Sequence, residues 1–181
     1  MIPAGRQFRM VIYLIGFMGS GKTYWAEKLS AGLHVPWFDL DRLIEEREGA
    51  AVRDIFAEKG EDYFRDLEHE VLKGFSQGFP DAGVVQAILS CGGGAPCFHD
   101  NMGIMNNSGK TVWLNPPVST LAARLARDSG ERPLLAGRKG QELENFISLK
   151  LDERRPWYRQ ATVVIEEPMP SLQGIINTLA S

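Results

Sequence analysis

The sequence lacks the marks of secreted, metal-binding and nucleic-acid-binding proteins. Its 181 residues include only two cysteines, Cys91 and Cys97, which have neither C-x-x-C spacing nor histidines arranged beside them, so no disulfide framework or zinc site is predicted. The formal net charge of −3 offers no basic surface to nucleic acid or to a membrane. No apolar run is long enough to cross a bilayer. These absences favour a globular protein of the reducing cytoplasm, without a nucleic-acid or membrane partner.

The start of the chain imitates a secretion signal without matching one. Arg6 and Arg9 precede an apolar run at 10–17, as basic residues do in a signal peptide. The run is short, however, lacks a small-residue cleavage pattern and leads straight into a glycine-rich loop. We interpret it as the first strand of a folded domain.

Short β-branched runs alternate with longer segments of helical pattern, which is typical of a parallel sheet flanked by helices. No repeat, low-complexity tract or linker divides the chain, so we expect a single domain over 1–181. The polar, charged segment at 128–140 is the least regular, and we interpret it as a mobile lid. Strands are expected at 10–15, 35–38, 84–89, 111–114 and 162–165, and helices at 22–33, 40–48, 61–75, 118–127, 141–158 and 171–179.

The most specific motif is GFMGSGKT, from Gly16 to Thr23, which fits the phosphate-loop pattern G-x-x-x-x-G-K-[ST]. In such a loop, backbone N–H groups turn towards an anion, the lysine reaches the terminal phosphates and the hydroxyl can ligate Mg²⁺. An ordinary glycine-rich turn is the alternative, but the apolar strand before it and the helix after it favour a nucleoside triphosphate. The residues expected to contact that nucleotide are Gly19, Ser20, Gly21, Lys22 and Thr23.

Two carboxylates follow the second predicted strand, at Asp39 and Asp41. Residues two apart at a strand end point to one face, so both can look into the crevice at the carboxyl edge of the sheet, where ligands bind in such folds. We expect Asp39 to serve the magnesium shell and Asp41 to meet a substrate hydroxyl. The alternative is that one of them merely caps the following helix.

Arginines and glycines form the remaining candidates. Arg65 and Glu68 are three apart on a helix, so the carboxylate can orient the guanidinium for a substrate carboxylate, although an ordinary surface ion pair has the same spacing. Three glycines at 92–94 follow a strand and leave bare backbone N–H groups for a ligand, unless they form a plain loop. Arg132 and Arg154 are either ligand-binding arginines or solvated surface charges, and their spacing alone does not decide between the two.

Taken in order, these motifs resemble the shikimate kinase family over about 11–165, nearly the whole chain. The family series is G-x-M-G-x-G-K-[ST], D-x-D, G-E-x-x-F-R-x-x-E, G-G-G, R-P-L-L and R-x-P-x-Y, and each member is present here. A phosphate loop is shared by many families, whereas this ordered series is specific. The resemblance implies ATP-dependent phosphorylation of the 3-hydroxyl of shikimate, on the route to chorismate and the aromatic amino acids.

The resemblance also implies a fold and a substrate site. The fold is a doubly wound α/β sheet of five parallel strands in order 2-3-1-4-5, like that of nucleoside-monophosphate kinases, with a shikimate-binding segment at about 39–75 and a lid at about 128–140. Arg65 and Arg154 would grip the shikimate carboxylate, and Asp41 would orient or deprotonate the attacking hydroxyl. The backbone beside the carboxylate would come from Gly92, Gly93 and Gly94.

On the nucleotide side, the resemblance implies that Lys22 and Arg132 neutralise charge on the transferred group, and that Thr23 and Asp39 hold Mg²⁺. Arg124 is our candidate for packing on adenine, with Arg127 as the competitor. A monomer is expected, from the family and from the absence of an apolar oligomerisation stripe. Two alternatives remain, namely another small-molecule kinase, for gluconate or a nucleoside monophosphate, and a nucleotide-binding module without catalysis.

Overall fold

A computed structural model describes residues 10–77, 86–127, 137–166 and 171–180. One five-stranded sheet runs through it, and all its strand pairs are parallel. The order β2-β3-β1-β4-β5 confirms the order expected from the sequence. The strands are β1 (Met10–Ile15), β2 (Trp37–Asp39), β3 (Gln86–Ser90), β4 (Gly109–Asn115) and β5 (Val163–Glu166).

Helices connect the strands and cover both faces of the sheet. A short 3₁₀ turn, Ala95–Cys97, follows β3. The α-helices are α1 (Lys22–Leu33), α2 (Leu40–Glu48), α3 (Val52–Gln77), α4 (Asn101–Ser108), α5 (Val118–Arg127), α6 (Gly140–Tyr158) and α7 (Leu172–Ala180).

The central strand β1 shows why the sheet is buried on both sides. Its side chains alternate between two cores, with Val11, Tyr13 and Ile15 in one and Ile12 and Leu14 in the other. The first core also receives buried residues of α2 to α6, whereas the second receives those of α1 and α7. A strand covered by helices on both faces reads as a continuous apolar run, which is the pattern that marked β1 in the sequence.

Four elements, β1, α1, α2 and α5, have the bounds predicted from the sequence. Two helical stretches were missed. The first part of α3, residues 52–59, was not predicted, and Gly60, with a φ of +84° and a ψ of 174°, interrupts the helix just before the predicted start at 61. Helix α4 consists mainly of poor helix formers, and it is stabilised by the burial of Met102 and Met105.

The expected lid at 128–140 lies largely outside the described residues, which resume at Gly137. Arg132 and the R-P-L-L motif fall in the part that is not described. Among the helices of the described ranges, none is long and apolar enough to cross a membrane.

Candidate active site

The phosphate loop connects β1 to α1 at the carboxyl edge of the sheet. Gly21 caps α1 with a φ of +95°, a left-handed conformation that a side chain would disfavour. The Lys22 Nζ donates hydrogen bonds to the carbonyls of Gly16 (3.0 Å) and Phe17 (3.1 Å), which brings the ammonium group back over the loop. The loop therefore combines the N-terminal end of a helix with a cation, the arrangement that binds phosphates.

A cavity of about 360 Å³ opens beside this loop. The phosphate loop and the first turn of α1 form one side, and residues 90–93, at the carboxyl end of β3, form another. Asp39 and Asp41 complete the lining. The structure thus brings together the phosphate loop, the carboxylate pair and the triple glycine, three motifs that are far apart in the sequence.

Asp39 has two structural relationships. Its Oδ1 accepts from the backbone N–H groups of Asp41 (3.0 Å) and Arg42 (3.4 Å), so the helix-cap interpretation is confirmed for Asp39. It also lines the cavity, together with Asp41 in the first turn of α2. Burial raises the pKa of Asp41 above its ordinary value, and the neighbouring Asp39 carboxylate raises it further.

The Thr23 hydroxyl and the Asp39 carboxylate, the two predicted ligands of a magnesium ion, are among the oxygen groups of the cavity lining. The described part of the chain contains no cluster of three or more histidine, cysteine or acidic side chains that could hold a metal by itself. Mg²⁺ typically uses one or two carboxylates and takes its other ligands from phosphates and water. This sparse oxygen set fits a magnesium ion that arrives with nucleotide phosphates.

Arg65 lies on the part of α3 that follows the Gly60 kink. Its Nε and Nη2 donate to Glu61 Oε1 (3.2 and 3.0 Å), and its Nη1 donates to Glu68 Oε2 (2.8 Å). The prediction that Glu68 holds this guanidinium is confirmed, and with only 12% of the side chain exposed the pair is not an ordinary surface ion pair. Within the described residues, three of the five N–H groups are used, so one on each terminal nitrogen remains for a ligand.

Glu68 is the most deeply buried acid of the site, with 1% of its side chain exposed. Burial raises the pKa of Glu68 to about 7, although Arg65 opposes that shift. Its second oxygen, Oε1, is buried and has no hydrogen-bond partner within the described residues. That oxygen points towards Gly92, because a Cβ added there would lie 3.2 Å from it.

The triple glycine is required for space at the site. A Cβ on Gly93 would lie 3.1 Å from Nη1 of Arg154, and one on Gly94 would lie only 2.7 Å from Nη2 of Arg65. Both guanidinium groups therefore rest against consecutive glycines of one loop. The sequence predicted a bare backbone for the ligand, and the structure adds that the glycines also make room for the two arginines.

Arg154 and Tyr158 reach this loop from α6. The Arg154 guanidinium lies 5.4 Å from the ring centre of Phe17, and no carboxylate of the described residues forms an ion pair with it. The buried Tyr158 hydroxyl donates to the carbonyl of Gly93 at 2.6 Å. Sequence reasoning assigned no role to Tyr158, although its place in R-x-P-x-Y, one helical turn after Arg154, was the available signal.

Arg124 is the better placed of the two adenine candidates. Its Nη1 donates to the carbonyls of Gly19 (3.3 Å) and Ser20 (3.4 Å), which sets α5 beside the phosphate loop. Arg127 lies three residues further along α5; both arginines are exposed, so the contacts with the phosphate loop are what distinguish Arg124. The contact with adenine itself stays a prediction.

The chain is similar to shikimate kinases by sequence and by structure. A family model described as "SKI: Shikimate kinase" matches residues 18–179. The shikimate kinase of Bacteroides fragilis is 44% identical over 153 residues, which are 84% of this chain and 82% of that protein.

Solved structures agree with this relationship. A crystal structure of shikimate kinase from Bacteroides thetaiotaomicron superposes with a TM-score of 0.85 at 37% identity, covering 95% of this chain and 99% of that one. The Acinetobacter baumannii shikimate kinase in complex with shikimate gives 0.78 at 30% identity, covering 96% and 92%. With the ordered motifs brought to one crevice of a matching fold, this chain belongs to the shikimate kinase family.

Proposed function

We propose that this chain transfers the terminal phosphoryl group of ATP to the 3-hydroxyl of shikimate, the reaction of its family. One observation carries the assignment to this crevice. The guanidinium groups of Arg65 and Arg154 rest against Gly94 and Gly93, and the Asp41 carboxylate lies beside Gly92. A small acid with ring hydroxyls matches this arrangement of two cations and one anion, next to a phosphate loop.

The two arginines bind the carboxylate of shikimate. Arg65 has one N–H left on each terminal nitrogen, the pair that a carboxylate accepts in bidentate fashion. Arg154 has no acid at ion-pair distance among the described residues, so an anionic ligand that enters supplies its ion-pair partner. Hydrogen bonds to charged groups stabilise a complex by about 1.5–3 kcal/mol each, which makes these contacts the main source of affinity for the acid.

Asp41 acts on the hydroxyl that attacks. Its carboxylate lies in the cavity between the phosphate loop and the triple glycine, within the space that the substrate and the terminal phosphate share. The raised pKa of Asp41 makes the carboxylate a stronger base than an exposed aspartate. Asp41 accepts the hydroxyl proton as the oxygen bonds to phosphorus, while ADP leaves with the electron pair of the broken P–O bond.

Charge on the transferred group is stabilised by cations of the nucleotide side. Lys22 lies over the phosphate loop, and Arg132, outside the described residues, adds a second cation from the segment 128–140. Thr23 and Asp39 would hold Mg²⁺, which would neutralise phosphate charge. Arg124 packs at the adenine end of the nucleotide. Phosphoryl transfer depends mainly on such alignment and charge stabilisation.

The proposal also covers the compartment, the partners and the oligomeric state of the enzyme. Free thiols at Cys91 and Cys97 suit the reducing cytoplasm, and the net charge of −3 gives nucleic acid no binding surface. We expect a monomer, with the segment 128–140 excluding water when both substrates are bound.

The test is ADP release by the purified chain with Mg-ATP, with shikimate, gluconate, AMP or no acceptor in parallel. Turnover with shikimate alone is the expected result. Turnover with gluconate or AMP would leave the phosphate site in place but reject the roles of Arg65 and Arg154. Absence of turnover with all four would favour a nucleotide-binding module without catalysis.

A further inference from the structure

A ring from the segment after the triple glycine lies directly on Arg65. The centre of the Phe98 ring is 4.1 Å from Cζ of Arg65, compared with 5.2 Å for Phe64 and 5.7 Å for Phe56. Phe98 follows the 3₁₀ turn, whereas the other two rings belong to the same helix as the arginine. Of these three rings, Phe98 is therefore the nearest to the guanidinium and the only one from another element.

The backbone that carries Phe98 is fastened to α3. His99 Nε2 lies 3.1 Å from Asp66 Oδ1, and Asn101 Oδ1 lies 2.7 Å from His69 Nδ1. The fully buried Asn101 also donates from Nδ2 to the Ala95 carbonyl at 2.8 Å. Two polar contacts thus join residues 99 and 101 to the helical turn that follows Arg65.

The conformation of His99 is consistent with a segment held by its surroundings. Its φ of +49° lies in the left-handed region, which residues with a side chain seldom adopt. Such conformations persist where neighbouring contacts determine them. Here His99 and Asn101, which both follow Phe98, contact α3, and Asn101 also bonds back to Ala95, which precedes Phe98. These contacts restrict the position of Phe98 over Arg65.

We propose that Phe98 is a positioning residue for shikimate binding, acting through the guanidinium of Arg65; this inference rests on the proposed function. Glu61 and Glu68 accept hydrogen bonds from the edge of the Arg65 guanidinium. Its flat face is not held by these bonds, so another group must keep water from that face and limit its tilting. An aromatic face attracts a guanidinium and excludes water from it. Phe98 therefore keeps the two remaining N–H groups aimed at the ligand carboxylate.

The experiment compares Phe98→Leu, which removes the aromatic face, with Phe98→Tyr, which keeps it. We expect Phe98→Leu to raise the KM for shikimate roughly 3- to 30-fold, the range that corresponds to a cation–π contact. Phe98→Tyr should stay close to the parent enzyme. The KM for ATP and kcat should change little in either variant, which separates loss of positioning from general damage.

Tyr63→Leu is the matched control. Lys59 Nζ lies 4.6 Å from the centre of the exposed Tyr63 ring, so this variant removes another cation–aromatic pair from α3, and the shikimate KM should not change. If Phe98→Leu does not fold, Phe98→Met supplies a second non-aromatic side chain, with circular dichroism as the check on folding.

Three results would overturn the inference. One is an unchanged shikimate KM in Phe98→Leu, and another is an equal rise in the Leu and Tyr variants. The third is a rise in ATP KM that parallels the rise for shikimate. Arg65→Ala distinguishes this failure from failure of the proposed function. If Arg65→Ala raises the shikimate KM while Phe98→Leu does not, only the role of Phe98 is wrong; if neither raises it, the role of Arg65 is wrong as well.

Discussion

The carboxylates of Asp41 and Glu68 both approach Gly92. A Cβ added to Gly92 would be 3.1 Å from Oδ1 of Asp41 and 3.2 Å from Oε1 of Glu68. Burial raises the pKa of both groups, and the Asp41 carboxylate raises the pKa of Glu68 further. Asp41 faces the ligand cavity, where the substrate hydroxyl is proposed to bind, and Glu68 holds Arg65, which is proposed to bind the substrate carboxylate. The protonation of this pair therefore links the two ends of the substrate site.

Glu68 should give stability a pH dependence of definite sign. Its pKa is about 7 in the folded state and 4.5 ordinarily, so the folded chain binds the additional proton between these values. The stabilisation of the folded state that results from this proton uptake is complete below pH 4.5 and is lost as the pH rises through about 7. Glu68→Gln should remove up to about 3 kcal/mol of this pH dependence in the free energy of unfolding, measured by urea denaturation across that range.

Glu70→Gln is the control for that experiment, because Glu70 lies two residues further along α3 and its side chain is 61% exposed. Its unfolding should follow the same pH dependence as the parent protein. A parent protein whose stability does not fall between these pH values would contradict the assignment.

Asp41 should control the acid side of the rate profile. Since its pKa is raised, kcat/KM for shikimate should begin to fall at a pH above the ordinary aspartate value of 3.8. Asp41→Asn should lower kcat by roughly 10²- to 10⁴-fold, as expected for loss of a general base. Steady-state rates across pH provide the measurement, with the exposed Asp62→Asn on α3 as control. Retention of full kcat in Asp41→Asn would remove Asp41 from the proposed chemistry.

Gly94→Ala should impair binding more than folding. The backbone of Gly94 is helical, with φ of −90°, so alanine is tolerated there. The added methyl group would meet the Arg65 guanidinium at 2.7–2.9 Å, and the flexible arginine is what must move. We expect a shikimate KM raised at least several-fold, and little change in melting temperature.

The comparison for Gly94→Ala is Gly74→Ala, in the interior of α3, where an added Cβ has no neighbour within 4 Å. That variant should be more stable by about 0.5–1 kcal/mol, with unchanged kinetics. The prediction fails if Gly94→Ala loses stability but keeps its KM for shikimate.

Lys22→Ala should lower kcat by orders of magnitude, because the ammonium group placed over the phosphate loop neutralises the transferred phosphoryl group. Lys28→Ala, an exposed lysine on the same helix, should keep the parent rate. Circular dichroism should show the same helix content in both. Comparable rates for the two variants would contradict the role of Lys22.

Arg65→Ala and Arg154→Ala should each raise the shikimate KM by about tenfold to a hundredfold, with a smaller change in the KM for ATP. Both guanidinium groups rest against the triple glycine, and Arg65 keeps two N–H groups for a ligand. Arg53→Ala, whose side chain is 69% exposed on the same helix as Arg65, is the matched control. An unchanged shikimate KM in either active-site variant would exclude that arginine from the carboxylate site.

The framework of the site was predictable because its signals are local. The phosphate loop, the Asp39–Asp41 pair and the Arg65–Glu68 spacing each lie within one short segment, and the β1 pattern showed a strand buried on both faces. The order of the sheet followed from the family resemblance and was confirmed.

The remaining features depend on contacts between distant segments, which spacing does not encode. Nothing in the neighbourhood of Phe98 in the sequence indicates that its ring lies on Arg65, and His69 meets Asn101 across 32 residues. The room that Gly93 and Gly94 leave for two arginines is likewise visible only once α3 and α6 are packed together. Helix α4 was missed because burial of its methionines outweighs its weak helix propensity.

The hydrogen bond from Tyr158 to Gly93 joins two parts of the site that are synthesised at different times. The phosphate loop, Asp41, Arg65 and the triple glycine leave the ribosome before α6, which brings Arg154 and Tyr158 to the loop. Domains generally fold as units. The growing chain therefore contains the residues of its phosphate site first, but the acid site is complete only when α6 docks.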